Sequence, residues 1–526
     1  MRECRHIGMN SGTLLERRLA MKRLSCVVLA VAMVVAGTAA ADTTLTGNAY
    51  LDGSGNLVGT TLTATGGVGS VTDPYVFNVA GNLDLAGYNI SGASSTANNQ
   101  YSATWQVTGN VLNSGAGGGS FYSYTTSNYR AGGKVTIQAD GSIALNNVRT
   151  YAKYMRDAGD VYLWAKDGSV TLDGYIDTRA AGNDYDAANV TLRSEGTLAS
   201  QGIAVNGKSG AYSIITYGKV SYDCDRAGYV KLLTEGDVTL AGGINARRGY
   251  GDVTIRGDNT DTSVRAGDVE IGGDVAADCY KTYFRGGHLT VQANSLSVDG
   301  NVLLHNTGGH ADGGNVKIDV LGDCTIDGYI RADNDKSDYR SSPGHVDISA
   351  LHLTVSGARS GVSIDATDVY TGTYDKNYPP ASSAGDVTLT GVDTSLMPYL
   401  VTHPLDGSTS SISLAGGIAT GYGYVSGKPN FYGHVNIAAV EVQLGGDVSV
   451  QNTSSKIDVH YGVTTHGAIT HLMENGVYGT GAHNINYGVS TPTFTADVMH
   501  AEMIPEPAGL SLLGLVLLGL RKRKRN

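Results

Sequence analysis

Proline, cysteine and charged residues are all scarce in this chain of 526 residues. Ten prolines against 73 glycines exclude both a collagen triple helix and a proline-rich linker. Charged residues make up 16 % of the chain, below the usual ~25 %, and this argues against a disordered polyampholyte. Hydrophobic residues, at 41 %, are enough to fill a long buried core.

Glutamate is also rare, since only nine of the 48 acidic residues are Glu and the other 39 are Asp. Asp favours turns and Glu favours helices, so this ratio predicts a chain of β-strands and turns. Phe and Trp number only 5 and 2, against 31 Tyr. A tyrosine ring packs on a half-wet surface while its hydroxyl stays hydrated.

Few cysteines are available for cross-links. Cys224, Cys279 and Cys324 are the three between residues 42 and 503. Three cysteines cannot form a disulfide framework, and none shows CxxC spacing. We therefore expect a fold that does not rely on disulfides, and the redox state of these three remains open.

The N-terminus has the pattern of a secretory signal peptide. Residues 21–23 are Met-Lys-Arg, residues 27–35 are apolar, and Ala39 and Ala41 stand at the −3 and −1 positions of a small-residue cleavage site before Asp42. The polar residues 1–20 ahead of it point to Met21 as an alternative translation start. We predict that residues 1–41 are a leader, which implies export.

The C-terminus has the features of a second targeting signal. Pro505, Glu506 and Pro507 precede thirteen small or apolar residues, 508–520, and then the basic run 521–525. Thirteen helical residues span about 20 Å, short of the ~30 Å hydrocarbon core, so this short hydrophobic helix would be a poor permanent anchor. The basic tail behind it should stay cytoplasmic.

This order of parts resembles the PEP-CTERM sorting signal, over about the last 23 residues. The resemblance implies transient insertion of residues 508–520 into the inner membrane of a Gram-negative cell. It also implies cleavage near Pro505–Pro507 by a membrane transpeptidase of the exosortase type. Proteins of this family are commonly exported to the cell surface or into the exopolysaccharide matrix. An ordinary tail anchor is the alternative.

The charge of the body is strongly acidic. Residues 42–503 contain 26 Lys and Arg against 45 Asp and Glu, a net charge of −19. Nucleic acid would be repelled, because its binding requires basic patches. Such a charge suits solubility outside the cell.

A repeat runs through the body. Short alternating strands are predicted to open each unit, most of them just after Gly, Asn or Asp; they begin at Val135, Val161, Val190, Val230, Val253, Leu289, Val316, Val346, Val387 and Val435. An earlier copy is predicted at Val76, Leu83 and Ile90.

Two further strands are predicted in each unit. Second strands are expected at Ile143, Val170, Leu198, Val238, Val269, Leu296, Cys324, Leu353, Ile412 and Val442. Third strands are expected at Val148, Ile176, Ile203, Ile244, Val275, Val302, Ile330, Val362, Ile418 and Val448. The units that begin at Val253 and Val387 fit only with an insertion between their first and second strands. All other variation in length is assigned to loops after the third strand.

Three short strands and one variable loop per unit predict an all-β fold, a right-handed parallel β-helix of roughly ten or more coils. Glycines at the corners are expected to supply positive φ. A β-sandwich or propeller is the alternative, but it would show hairpin turns and more even spacing. The repeats resemble those of filamentous haemagglutinin-type adhesins and autotransporter passengers, although the C-terminal barrel and the NPNG-type motifs of those families are missing.

The variable loops combine Tyr with Asp and Arg, a composition used to bind sugars. We name Tyr154, Tyr217, Tyr283 and Tyr339 as candidate glycan contacts. Such loops would emerge along one edge of the rod. Simple packing of the rings onto the rod is the alternative.

Enzymatic sites find weak support. The alternative function is a polysaccharide lyase or glycoside hydrolase, but the Asp-Asp pair and Gly-His-Gly of polygalacturonases are absent. Asp333, Asp335 and Asp338, with Arg331 and Arg340, are the nearest match to the calcium site of a lyase, but they are only a weak metal candidate. The spacing Asp333-x-Asp335-x-Ser337 imitates the start of a calcium loop, whose later Gly and Glu are absent. No cofactor and no catalytic residue is predicted. A binding module for small ligands is disfavoured, because a filled rod offers no natural cleft.

The sequence therefore predicts an exported structural or adhesive protein of the cell surface or matrix, with exopolysaccharide as a potential partner. Its expected parts are a leader, an irregular N-terminal β region with a cap, the β-helix body, a polar linker and the sorting signal, at residues 1–41, 42–130, 131–472, 473–503 and 504–526.

Overall fold

A computed structural model gives the fold, and within its described residues the chain is almost entirely β-strand. The described residues are 42–52, 54–92, 100–123, 131–152, 157–183, 186–219, 227–249, 251–258, 264–279, 285–307, 312–337, 343–370, 385–391, 410–422, 433–439, 441–446, 448–450, 456–462, 494–495 and 498–504. The predicted leader, residues 1–41, lies outside them, as do residues 505–526 of the predicted sorting signal.

The strands stack into three parallel ladders, and one turn of the chain through all three is a coil. The first ladder contains Tyr75–Val79, Ala103–Val107, Val135–Ala139, Val161–Ala165, Val190–Ser194, Val230–Thr234, Val253–Arg256, Leu289–Val298, Val316–Val320, Val346–Ser349, Val387–Thr390, Val435–Ala439, Lys456–Gly462 and Val498–Ile504. The long strand Leu289–Val298 turns the corner and also serves the second ladder.

The other two ladders complete the coils. The second contains Thr43–Thr44, Leu83–Asp84, Val111–Leu112, Ile143–Leu145, Val170–Leu172, Ile203–Val205, Val238–Leu240, Ala266–Ile271, Asp323–Ile326, His352–Val355, Ser411–Leu414 and Glu441–Leu444. The third contains Ala49–Leu51, Ile90–Ser91, Phe121–Tyr122, Val148–Arg149, Ile176–Asp177, Tyr212–Ile215, Gly243–Asn245, Val275–Ala276, Val302–Leu303, Ile330–Arg331, Val362–Tyr370, Gly417–Tyr422, Val448–Val450 and Phe494–Thr495.

A few elements lie outside these ladders. They are the strand Leu57–Val58, the 3₁₀ helix Ala199–Gln201, the strand Asn334–Ser337, which pairs with Val362–Tyr370, and the strands Ala180–Asn183 and Gly218–Lys219, which form a separate two-stranded sheet.

The prediction of a parallel β-helix is confirmed. Val135 pairs in parallel with Val161, Val161 with Val190, and Val190 with Val230. From the Tyr75 coil to the Val435 coil, twelve successive coils have strands in all three ladders. At about 4.8 Å per coil, this stack is roughly 55 Å long.

In the Val190 coil, the predicted first strand is confirmed but the predicted second and third strands were wrong. Ile203, expected in the third ladder, pairs with Val170 and Val238 in the second, and Ile214 occupies the third ladder. Leu198, expected inside, is 61 % exposed and precedes a 3₁₀ turn. The error arose because a turn inserted between the first and second strands has the apolar spacing of a strand.

Two smaller errors concern register. In the Val346 coil the buried third-ladder residue is Ile364, which pairs with Ile330, whereas Val362 pairs with Gly417 ahead of a register shift. In the earliest predicted copy, Tyr75 and its alternate neighbours point inward and Val76 is only partly buried. In the earliest copy, the one-residue error places the predicted side chain on the opposite face, because strand alternation has a period of two. In the Val346 coil, the irregularity between Val362 and Ile364 moves the buried position by two residues.

The core is a continuous column of inward side chains. Aliphatic residues dominate it from the Val135 coil onward, as in Val135, Ile137 and Ala139, all buried. The first two coils add large aromatic side chains to the aliphatic ones: Phe77 stacks on Trp105 at 4.4 Å between ring centroids. These layers make up one core with no break between coils.

Glycines before the first-ladder strands are required by close approach rather than by positive φ. A Cβ on Gly314 would lie 1.9 Å from the carbonyl oxygen of Gly287, one coil earlier, and a Cβ on Gly228 would lie 1.8 Å from that of Ala188. Neither has a positive φ. Our expectation of left-handed corner glycines fails at these positions, because the corner brings two backbones into contact.

The loops after the third strand are closed at their bases by repeated hydrogen bonds. The hydroxyl of Thr178 donates to the carbonyl of Ala188 at 2.8 Å, and that of Thr216 donates to Gly228 at 2.8 Å. The amides of Ala188 and Gly228 donate back to the same threonines at 3.1 and 3.0 Å. Loops of different length therefore start and end at the same place on the rod.

A ladder of side-chain acceptors runs along the corner before the first strands. Each side chain accepts a hydrogen bond from the backbone amide one coil later, in the order Asp252 to His288, His288 to Asn315, Asn315 to His345, His345 to Asp386 and Asp386 to His434, at 2.8–3.1 Å. His288 and His345 accept through Nδ1, so that atom carries no proton.

The N-terminal edge of the stack is covered by antiparallel pairing. Leu57–Val58 pairs antiparallel with Ala49–Leu51. Thr65 and Gly66 bond to both backbone groups of Val76, at 2.7 and 2.8 Å, along the edge strand of the first complete coil. Edge strands left open invite pairing with other chains, so this segment protects the end of the rod.

The alternation of inward and outward side chains can be tested at Leu163, which is fully buried, and at Tyr162, which is partly exposed. Leu163→Asp buries a carboxylate in an apolar core and should destabilise the protein by more than about 3 kcal/mol. Tyr162→Asp should cost about 1 kcal/mol or less. Urea unfolding measures both, and equal losses would contradict this register.

The close approach at the corner predicts a second difference. Gly314→Ala should lower the unfolding free energy by about 1–3 kcal/mol, because the new methyl overlaps the backbone of Gly287. Gly322→Ala is the matched control, since its Cβ would meet only the Asn294 carbonyl oxygen, at 3.3 Å. Equal stability of the two variants would show that the corner can relax.

The acceptor ladder predicts a dependence on pH. Burial lowers the pKa of His288, Arg285 adds to this, and Asp252 and Asp312 oppose it. Protonation then favours the unfolded chain, so this part of the stability is complete above about pH 6.5 and falls as the pH drops through the lower folded pKa.

His288→Asn keeps an acceptor, as Asn315 does one coil later, but cannot titrate. Urea unfolding from pH 8 to pH 5 should therefore show a smaller loss of stability in the variant than in the wild type. Identical pH profiles would refute the role of His288.

Candidate functional site

The residues predicted for function fall mostly outside the described part of the chain. This is true of Ala39 and Ala41, of Pro505, Glu506 and Pro507, and of Tyr154, Tyr283, Tyr339 and Asp338. Tyr217 is described and lies just beyond the third ladder, at the base of a loop.

The weak metal candidate contains a buried ion pair. Both carboxylate oxygens of Asp333 lie 2.7 Å from nitrogens of Arg331, and both residues are buried. Asp335 lies in the strand Asn334–Ser337. Arg331 is therefore paired with the carboxylate of Asp333, which a calcium ion would have to bind.

Equivalent positions of successive coils form a column on the outer side of the third ladder. Tyr151, Arg179, Tyr217 and Arg247 each follow the buried third-ladder residue by three positions. Strand alternation makes this position face outward, one residue after the loop-closing threonines. Side chains separated by whole coils in sequence are thereby stacked directly above one another.

Arginine and tyrosine alternate along this stack. The guanidinium carbon of Arg149 lies 5.1 Å from the Tyr151 ring centroid, and that of Arg179 lies 5.9 Å from the same ring. Arg179 and Arg248 lie 5.8 and 5.2 Å from the ring of Tyr217. These five residues, which we call the Arg–Tyr column, span four coils and are all partly exposed. Each contact is a cation–π interaction.

A buried carboxylate holds two of the arginines. Asp177 is fully buried and lies 2.8 Å from Arg179 and 3.9 Å from Arg149. Burial raises the pKa of Asp177, while Arg179 and then Arg149 act to lower it. For Arg179, burial acts to lower the pKa, but Asp177 and Tyr217 raise it, and the net shift is upward. This pair orients the guanidinium groups.

Arg248 has an unusual backbone. Its amide donates to Asp278 at 2.7 Å, in the pattern that Ala152 and Ala180 show in earlier coils, where the alanines are buried. Its φ is +73°, in the left-handed region that side-chain-bearing residues rarely adopt. The left-handed turn takes the residue out of the strand alternation and puts its guanidinium over Tyr217.

Arg248 differs from its neighbour Arg247 in how its guanidinium is engaged. Among the described residues, its guanidinium makes no hydrogen bond and no ion pair; its side-chain contact is the Tyr217 ring. Arg247, by contrast, is paired with the buried Asp278 at 3.1 Å. Arg248 therefore presents a charged, planar set of donors at a partly exposed position.

A second cluster of cations and aromatics lies on the first ladder, around Trp164. Arg193 lies 4.7 Å from the Trp164 ring centroid and binds Asp258 and Glu195 at 2.6 Å each. Lys166 is paired with Asp140. Both cations of this cluster are neutralised by carboxylates, so it has the features of a structural clamp.

The arginines of the column were missed by the sequence analysis, although a signal existed. Counting three residues on from Val148, Ile176 and Ile214 reaches Tyr151, Arg179 and Tyr217. The misplaced third strand of the Val190 coil hid this alignment. Tyr217 was predicted as a candidate glycan contact in a variable loop, and that role stays a prediction. The structure places Tyr217 at the base of the loop, beside arginines that the sequence analysis did not name.

Among the described residues, no three His, Cys, Asp or Glu side chains are grouped so that they could hold a metal ion. Within the same residues, no helix has the length and apolarity needed to cross a membrane. No family model matches this sequence, and no curated protein or solved structure matches it either.

Proposed function

We propose that this protein is an exported, non-catalytic β-helical rod of the cell surface or extracellular matrix, associated with exopolysaccharide. The observation that carries the proposal is the position of the rod between two segments with the patterns of targeting signals. A signal-peptide pattern precedes the first strand, and a sequence resembling a PEP-CTERM signal follows the last.

The physical character of the rod supports a structural or adhesive role. Its core is filled by side chains from end to end, and its N-terminal edge is covered. The body carries a net charge of −19, which favours solubility after export. Loops of different length are tolerated on the same frame, and this suits a scaffold that presents a varied surface.

The sorting step follows from the C-terminal sequence. Residues 508–520 would insert transiently into the inner membrane, and an exosortase-type transpeptidase would cut near Pro505–Pro507. The mature chain would then reach the surface or the matrix. Because the basic tail 521–525 follows the apolar run, it would be left behind in the cytoplasm.

This proposal predicts a shortened C-terminus. Mass spectrometry of surface material from the native host should find a chain that ends near Pro505–Pro507 and lacks residues 521–526. Replacing Pro505, Glu506 and Pro507 by alanine should retain the chain in the membrane fraction with its tail intact. Alanine replacement of Thr491, Pro492 and Thr493 is the control and should leave processing unchanged. Surface material with an intact tail would refute the proposal.

A further inference from the structure

The Arg–Tyr column offers guanidinium edges rather than open aromatic faces. Tyr151 and Tyr217 each lie within 6 Å of two guanidinium groups, measured to the ring centroid. Rings covered in this way are poor platforms for stacking sugars. The groups left to contact a ligand are the N–H donors at the edges of the arginines, which are suited to anions.

The local charge also points to an anionic ligand. Among the described residues of the column and their ion-pair partners, four arginines, Arg149, Arg179, Arg247 and Arg248, accompany two carboxylates, Asp177 and Asp278. Both carboxylates are buried and neutralised by these arginines. A partly exposed patch with an excess of positive charge thus lies on a body whose net charge is −19. The patch forms because the stacking of these coils brings arginines from different parts of the sequence together.

From these features we infer that Arg248, supported by Tyr217 and Arg179, binds the carboxylate groups of an acidic polysaccharide that runs along the outer side of the third ladder. This inference rests on the proposed association with exopolysaccharide and names its chemical class. A guanidinium can bind a carboxylate through two parallel hydrogen bonds. Arginines at several levels of the column would engage acidic sugars at several points of the chain, so weak contacts add up along the polymer.

The backbone of Arg248 provides a test that separates binding from stability. A left-handed φ disfavours residues with a Cβ, so a purely structural view favours glycine at this position. Arg248→Gly should therefore leave the midpoint of urea unfolding unchanged or higher. Strained backbone that persists against such a preference is often found at functional sites.

The binding experiment uses the full chain, purified in mild detergent, with polygalacturonate as the acidic probe. Fully methyl-esterified polygalacturonate has the same backbone without the charges, and polyphosphate is a polyanion without sugar. Arg359→Gly is the matched control, because it removes one exposed arginine from a different part of the rod. Titration calorimetry gives the dissociation constants.

Arg248→Gly should weaken polygalacturonate binding about tenfold, as expected for the loss of charge-assisted hydrogen bonds. Arg359→Gly should change it less than about twofold, since an isolated exposed charge contributes little. The methyl ester and polyphosphate should bind much more weakly than polygalacturonate.

Four results would overturn the inference: unchanged binding by Arg248→Gly, equal losses in the two variants, equal binding of the methyl ester or polyphosphate, and unfolding of Arg248→Gly at lower urea. The first three exclude a specific acidic-sugar site, and the fourth assigns Arg248 a structural role. If Arg248→Gly still reaches the cell surface with a processed C-terminus, such a failure refutes this inference alone and leaves the proposed sorting intact.

Discussion

Every coil of this protein is held by hydrogen bonds to the same positions of the coil before it. That constraint fixes the register of the whole stack: Val135, Val161 and Val190 must lie directly above one another, and so must the side chains on both faces of each strand. It also explains the corner glycines, because at Gly314 the preceding coil comes so close that a Cβ would meet its carbonyl oxygen. The side chains from Asp252 to Asp386 add further hydrogen bonds between coils, because each accepts one from a backbone amide of the next coil.

The loop bases turn this regularity into a surface. Hydrogen bonds such as those of Thr178 and Thr216 return each loop to the rod at a constant point, and the entropy of closing a loop grows only slowly with its length. Insertions therefore do not disturb the stack. The residue that follows each closing position is placed at the same height and angle in every coil, and repetition of this position aligns Tyr151, Arg179 and Tyr217 into a column.

Sequence reasoning succeeded where alternation and turn residues agree. The strands beginning at Val135, Val161 and Val230 stand where predicted, because each is announced by Gly or Asp or a neighbouring turn residue and continues with alternating apolar residues. It failed in the Val190 coil, where the turn around Leu198 has the apolar spacing of a strand but is exposed. Only pairing with the neighbouring coils distinguishes the two, and pairing is a property of the assembled stack.

The sequence by itself determined that the chain folds as a parallel β-helix, because a three-strand period with alternating Val, Ile and Leu is a local pattern repeated along the chain. It also determined the acidic charge of the body, and it predicts a signal peptide at one end and a sorting signal at the other. The tertiary structure alone decided that Arg149, Arg179, Tyr217 and Arg248 meet, since these residues come from different coils and their contact depends on the exact register of each third strand. The orientation of Arg248 depends on a left-handed turn that no residue preference predicts, because an arginine there is locally unfavourable and is held by the backbone bond to the next coil.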